Sequence, residues 1–151
     1  MPLASAQVVD AIVARLVADG ATAGKVFAGR GWSLDESELP AWVVTVQAES
    51  IEPQTIHYPV LQLHTLNVDA VAKCRATQDL DDAMHALAEA GINALQSTLA
   101  RAALSPLVNV TVFIVAINRE LIAEGEAAIG ALTLSLLVTY NTMQNAPGVL
   151  V

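Results

Sequence analysis

The sequence predicts an α+β fold: an antiparallel-dominated sheet of about four to five strands, with two helices packed on one face. Three observations carry that expectation. Apolar residues recur at helical spacing in two stretches, Val8, Val9, Ile12, Val13 and Leu16, then Leu80, Met84, Leu87 and Leu95. Elsewhere they alternate with polar residues at period two, most clearly Leu132, Leu134, Leu136, Val138 and Tyr140 against Thr133, Ser135 and Thr139. The order along the chain is helix, two strands, helix, two strands. Two layers are the compact solution for that order, and the uncovered sheet face then needs a partner.

The elements follow in turn. The first helix is expected over residues 5–19, with Ser5 as N-cap and Gly20 as the residue that ends it. Residues 21–40 read mostly as loop, with a short strand at 25–27, a turn at Gly29-Arg30-Gly31 and an acidic patch at Asp35, Glu36 and Glu38. Pro40 fits the first position of a strand over 41–49, where a missing N–H costs no ladder bond. There Trp42, Val44, Val46 and Ala48 alternate with Val43, Thr45, Gln47 and Glu49, the pattern of a half-buried strand. A polar turn at 50–54, holding Pro53, leads to a second strand over 56–67. In it Leu61, Leu63 and Thr65 alternate with Gln62 and His64, and the phase slips at Leu66. The two strands pair most simply as an antiparallel hairpin.

The second helix is expected over 77–97, capped by Thr77 or Asp79, with Asp79, Asp81 and Asp82 in the first turn, where carboxylates favour the helix dipole. Gly91 weakens its middle by up to about 1 kcal/mol relative to Ala, so the helix is expected to end or bend there. Residues 107–117 are apolar on both faces from Val112 onward, which predicts a central strand covered on both sides. Glu120, Glu124, Gly125 and Glu126 mark the next turn, and the alternating strand over 132–140 follows. A tail over 144–151 contains Pro147-Gly148 and closes on Val149, Leu150 and Val151. Residues 1–151 form a single domain without internal repeats.

Composition narrows the function. Of the 151 residues 54% are apolar and 15% charged, against roughly 25% charged in an ordinary soluble domain. The surplus apolar surface belongs in a membrane or at a subunit interface. The uncharged runs 102–118 and 127–151 are broken by Ser105, Pro106, Asn109 and Thr111, and by alternating polar residues, whereas a bilayer helix needs about 20 predominantly apolar residues. No basic segment followed by an apolar one opens the chain, so no signal peptide is expected. A soluble oligomer, with no membrane contact, is the better reading. The net charge of −8 argues against a surface that grips duplex phosphates, which takes clustered Lys and Arg. Cys74 is the single cysteine, which excludes an internal disulfide framework and a Cys-based metal site, and suits a reducing cytoplasm.

Chemistry has few footholds. Cys74 and His64 could form a nucleophile and base, but no local motif supports the pair, and a structural cysteine is expected. His57, His64 and His85 lack metal-ligand spacing, and His85 is expected on the exposed side of its helix. Asp35, Glu36 and Glu38 read as a solvated loop, without the regular ligand spacing of a calcium loop. Gly29-Arg30-Gly31 lacks the Gly-Lys-Ser/Thr ending of a phosphate loop and does not lead into a helix. Arg30 is a candidate ion-pair partner for a nearby acid, either within the chain or across a subunit boundary. No catalytic residue, metal or cofactor is expected.

The pattern Phe27-x-Gly29-Arg30, then Asp35-Glu36, then Leu39-Pro40-Ala41 opening a strand, resembles the tail terminator proteins of long-tailed phages, of the lambda type. The order of elements is similar over most of the chain, while residue-level similarity is confined to 27–41. The resemblance implies a structural virion protein, not an enzyme. Its subunits assemble into a hexameric ring at the head–tail junction, after assembly in the host cytoplasm. The ring would cap the tail tube, end its polymerisation and present the head-joining surface. Implied partners are further copies of itself, the major tail tube protein and a head-completion or connector protein. Genomic DNA would pass through the lumen without specific binding, helped by carboxylates facing inward. Candidate interface residues are Arg30, Asp35, Glu36 and Glu38, with Val149, Leu150 and Val151 of the tail packing on a neighbouring subunit or ring. The chain departs from the family in its low charge and its extra tail. A non-viral α+β binding module or small enzyme with an apolar pocket is the alternative.

Overall fold

A computed structural model describes residues 2–20, 22, 25–29, 39–76, 80–95, 107, 109–124 and 127–151. Two helices lie on one face of a six-stranded, mostly antiparallel sheet, so the α+β expectation holds. The elements are α1 (Ala4–Asp19), β1 (Val26–Ala28), β2 (Ala41–Pro53), β3 (Leu61–Ala76), α2 (Leu80–Leu95), β4 (Thr111–Glu124), β5 (Ala127–Met143) and β6 (Ala146–Leu150). The main strand order is β1-β2-β3-β5-β4. Among the described strands, only β1 and β2 run parallel. Because β3 occupies one edge of β5 along its length, the short β6 shares the other edge with β4. The short strand expected at 25–27 is β1; the strand not expected is β6, which lies in the segment read as a tail.

α1 buries Ala4, Val8, Ala11, Ile12 and Leu16, the stripe its spacing dictates. It begins one residue early: Leu3 takes the extended N-cap conformation without a side-chain cap, and Ser5 sits inside the first turn. Gly20 ends the helix at φ 76, a left-handed conformation that glycine adopts without a Cβ penalty.

The β2–β3 hairpin is longer than its polar residues suggest. β2 continues through Ser50 to Pro53 and β3 through Cys74 to Ala76. A register shift between Val46 and Ala48 explains why the alternation of β2 misleads. Before it Trp42 and Val44 face the helices; after it Glu49 and Ile51 do, and Ala48 turns to the other face. In β3 the buried set is Leu66, Val68, Ala70, Ala72 and Cys74, which puts His64 on the helix side and Leu61, Leu63 and Thr65 on the other.

α2 runs straight through Gly91, against expectation. A Cβ there would lie 2.7 Å from Leu134 Cδ1 and 2.9 Å from the Trp42 ring. Glycine is therefore a packing requirement that outweighs its poor propensity. Gly130 of β5 plays the matching part beneath Met84, whose sulfur would lie 2.5 Å from an added Cβ.

The largest correction concerns β4. It is an outer strand of the main order, and β3 and β5 are the central ones. Its apolar residues fall on both faces because a register shift between Ile114 and Ala116 swaps them. Ile117, Arg119 and Leu121 thereby share the helix-side face with Leu134, Leu132 and Gly130 of β5.

Candidate functional site

Two features stand out beyond the core: a polar cluster that is buried at His64, Tyr140 and Thr142 and open to solvent at Glu49, and an uneven covering of the sheet. The cluster forms where β2, β3 and β5 lie side by side, at Glu49, His64, Tyr140 and Thr142. His64 Nδ1 lies 2.9 Å from Glu49 Oε1, and His64 Nε2 lies 2.7 Å from the Thr142 hydroxyl oxygen. Tyr140 donates its hydroxyl to the same Glu49 oxygen at 2.5 Å and stacks on the imidazole, with ring centroids 4.8 Å apart. In the tautomer whose Nδ1–H donates to Glu49, Nε2 accepts from the Thr142 hydroxyl. Burial, then Glu49 by hydrogen bond and charge, raises the Tyr140 pKa above its ordinary value; a hydrogen bond with Ser5 acts the other way.

A hydroxyl, an imidazole and a carboxylate in a row have the connectivity of a hydrolytic relay. Thr142 is fully buried, however, so its oxygen cannot reach a carbonyl. Satisfied in this way, the four groups act as a polar tie across three strands at the foot of the β2–β3 loop.

The Cys74–His64 pair does not form. The two residues share a face of β3 but stand ten residues apart along it, about 33 Å at the usual rise of a strand. Cys74 is buried opposite Gly130, and desolvation pushes its thiol pKa up, which keeps it an unreactive packing residue. His85 is exposed as expected, with its Nδ1 3.5 Å from Arg119.

Several clefts line the molecule. One of about 530 Å³ lies between α1, β1 and β2, bordered by Val9, Asp10, Gly29, Val44, Val46 and Glu49. Another of about 290 Å³ opens beside Cys74, between Pro40, Ala83 and Leu87.

The helices cover only the middle of the sheet. On its other face Val43, Val71 and Leu137 are half-buried at best, among Asp69, Lys73, Thr133 and Ser135. The two hairpins end at opposite ends of the sheet, since Leu61 pairs with Met143 while Ala76 pairs with Ala128. At one end Ile51, Ile56 and Tyr58 stand in solvent; β4 exposes Phe113 and Val115 near the middle of the sheet and Ile117 and Leu121 toward the other end. No described helix is long and apolar enough to cross a membrane.

Of the candidate interface residues, Arg30, Asp35, Glu36 and Glu38 lie outside the described residues. The tail folds back as β6 on β5, where Leu150 packs against the chain's own core while Val149 and Val151 remain exposed. It is tied to α1 through Gln7, whose Nε2 donates to the Gly148 carbonyl at 2.7 Å. Sequence reasoning missed Glu49, Tyr140 and Thr142 as partners of His64. Only the register could have brought them together, although Glu49 and His64, both polar in half-buried strands, were a usable hint. Compared with known protein families and with curated proteins, the chain matches none.

Proposed function

We propose that the chain is a structural ring subunit of a long-tailed phage, acting as the tail terminator. Six copies would close into a ring at the head–tail junction, cap the tail tube, stop its growth and offer the surface that the head joins. Its partners would be further copies of itself, the major tail tube protein and a head-completion or connector protein, with DNA passing through the lumen. The observation that carries this reading is the apolar side chains left in solvent at separate places on a sheet that, among the described residues, is covered on one face. A monomer gains nothing from such exposure, whereas a ring subunit needs two different apolar patches that close by rotation. The resemblance at Phe27-x-Gly29-Arg30, Asp35-Glu36 and Leu39-Pro40-Ala41 supplies the choice among ring proteins. Gold-labelled antibody on virions tests the reading. Label confined to the head–tail junction is expected; label spread along the tube, or absent, would reject it.

The second reading, a binding module or small enzyme, draws on the cleft between α1 and β2, where Asp10 and Glu49 meet apolar walls. Thermal-shift screening with small amphipathic molecules separates the two. A saturable stabilisation lost in Glu49→Gln would favour this reading over the ring.

A further inference from the structure

We infer that the β2–β3 loop of one copy docks on the helix-side face of β4 in the next copy. The ring reading requires some head-to-tail contact, and this inference specifies which surfaces make it.

Each surface is unsatisfied alone. In the loop Ile56 is 92% exposed and Tyr58 75%. On β4, Leu121 is 66% exposed, and Ile117 lies beside it on the same face. Large apolar side chains grouped like this mark contact sites more often than scattered ones do. The charges also differ in sign. Glu52, exposed at the end of β2, enters the loop, whereas Arg119 sits between Ile117 and Leu121 with His85 beside it. An apolar patch edged by a carboxylate thus meets one centred on a guanidinium.

One chain cannot join its own two patches. Through His64 of β3, Ile51 is level with Tyr140 of β5, while Leu121 is level with Gly130. The interval of ten residues along β5 spans about 33 Å, and β3 and β5 lie between the two surfaces. The occupant of each patch must be another molecule, and a second copy carries the complement of both. Because the surfaces differ, the contact is heterologous and propagates, ending only when rotation closes a ring. β4 suits the part for a further reason. It is exposed over residues 115–121 on both faces, so a neighbour meets no covering element there among the described residues.

Cysteine trapping tests this directly. Ile56→Cys and Leu121→Cys are made as separate proteins, mixed and oxidised; Cys74 is buried and stays out of the exchange. A disulfide that forms in the mixture, and not in either protein alone, is the expected result. Disulfides only between like variants would show a two-fold contact and overturn the inference. So would the absence of any disulfide, which would assign the patches to a different protein. Charge exchange provides a second readout free of cysteine chemistry. Glu52→Arg should weaken self-association at least tenfold by analytical ultracentrifugation, and adding Arg119→Glu should restore most of it; no restoration counts against the pairing. The ring reading fails separately. With Ile56→Cys and Leu121→Cys on one chain, a ladder that stops at six subunits supports both ideas. A ladder growing without limit keeps the contact and removes the ring, and a six-membered ring without the crosslink does the reverse.

Discussion

β4 and β5 are hydrogen-bonded neighbours with much the same apolar content, and they meet opposite fates. Leu132, Leu134, Leu136 and Val138 of β5 are buried under the helices, while Val115, Ile117 and Leu121 of β4 stand in solvent. Burial in this molecule follows from place in the strand order, because α2 packs mainly over β3 and β5 and touches β4 at its rim, where His85 lies 3.5 Å from Arg119. A run that is apolar on both faces therefore has two meanings. In a central strand it is core; at an edge it is exposed surface.

Stability measurements put the contrast at risk. Leu134→Ala should cost about 2–5 kcal/mol, and Leu121→Ala should change the unassembled protein by no more than about 0.5 kcal/mol. Urea denaturation at concentrations where subunits are separate measures both. Equal losses would show that β4 is not the exposed partner.

The two glycines under α2 sharpen the picture of the covered half. Gly91→Ala should cost about 1–3 kcal/mol, since its Cβ meets the rigid Trp42 ring as well as Leu134. Gly130→Ala should cost less, because the atoms in its way belong to Met84, whose thioether chain can turn aside. Thermal melts of the two variants would decide, and the reverse order would mean that α2 is not seated as described.

The polar tie lies at the margin of the covered region and makes a claim about pH. Tyr140 has its pKa raised above 10.0 in the folded chain. Its contribution to stability is full below pH 10 and is lost as pH rises from there toward the folded pKa, at up to about 1.4 kcal/mol per pH unit. Tyr140→Phe should lose about 1 kcal/mol near neutrality, through the hydrogen bond to Glu49. It should also flatten the decline above pH 10, which denaturation at pH 8 and pH 10.5 would reveal. The smallest effect concerns Thr22, whose buried hydroxyl has no hydrogen-bond partner among the described residues. Thr22→Val should be neutral or stabilising by up to about 1 kcal/mol. A loss of that size would instead mean that the hydroxyl is satisfied.

The sequence made the helices legible because each has one core-facing stripe, and Val8, Ile12 and Leu16 announce it. β5 was legible because Leu132 to Tyr140 keep a single phase. The other long strands were misread where that phase breaks. The irregularity at Gln47 hid the continuation of β2, and the one at Val115 made an edge strand look central. Gly91 showed the limit of propensity, which knows nothing of Trp42 packed beneath it. His64 was visible as a residue but not as a site, since Tyr140 and Thr142 come from a strand more than seventy residues further on.

One small contact has a use in engineering. The Gln7 side chain donates to the Pro2 carbonyl at 3.0 Å and the Gly148 carbonyl at 2.7 Å. The first turn of α1 and the end of β6 are thereby neighbours. A short flexible linker between residues 2 and 151 would give a continuous backbone that could be reopened within residues 54–60. Such a permuted chain keeps every core contact while presenting free ends at the β2–β3 loop. It should keep its fold as a single subunit, and comparison with the same linker in an otherwise intact loop would separate the effect of severing the loop from that of tying down Val149 and Val151.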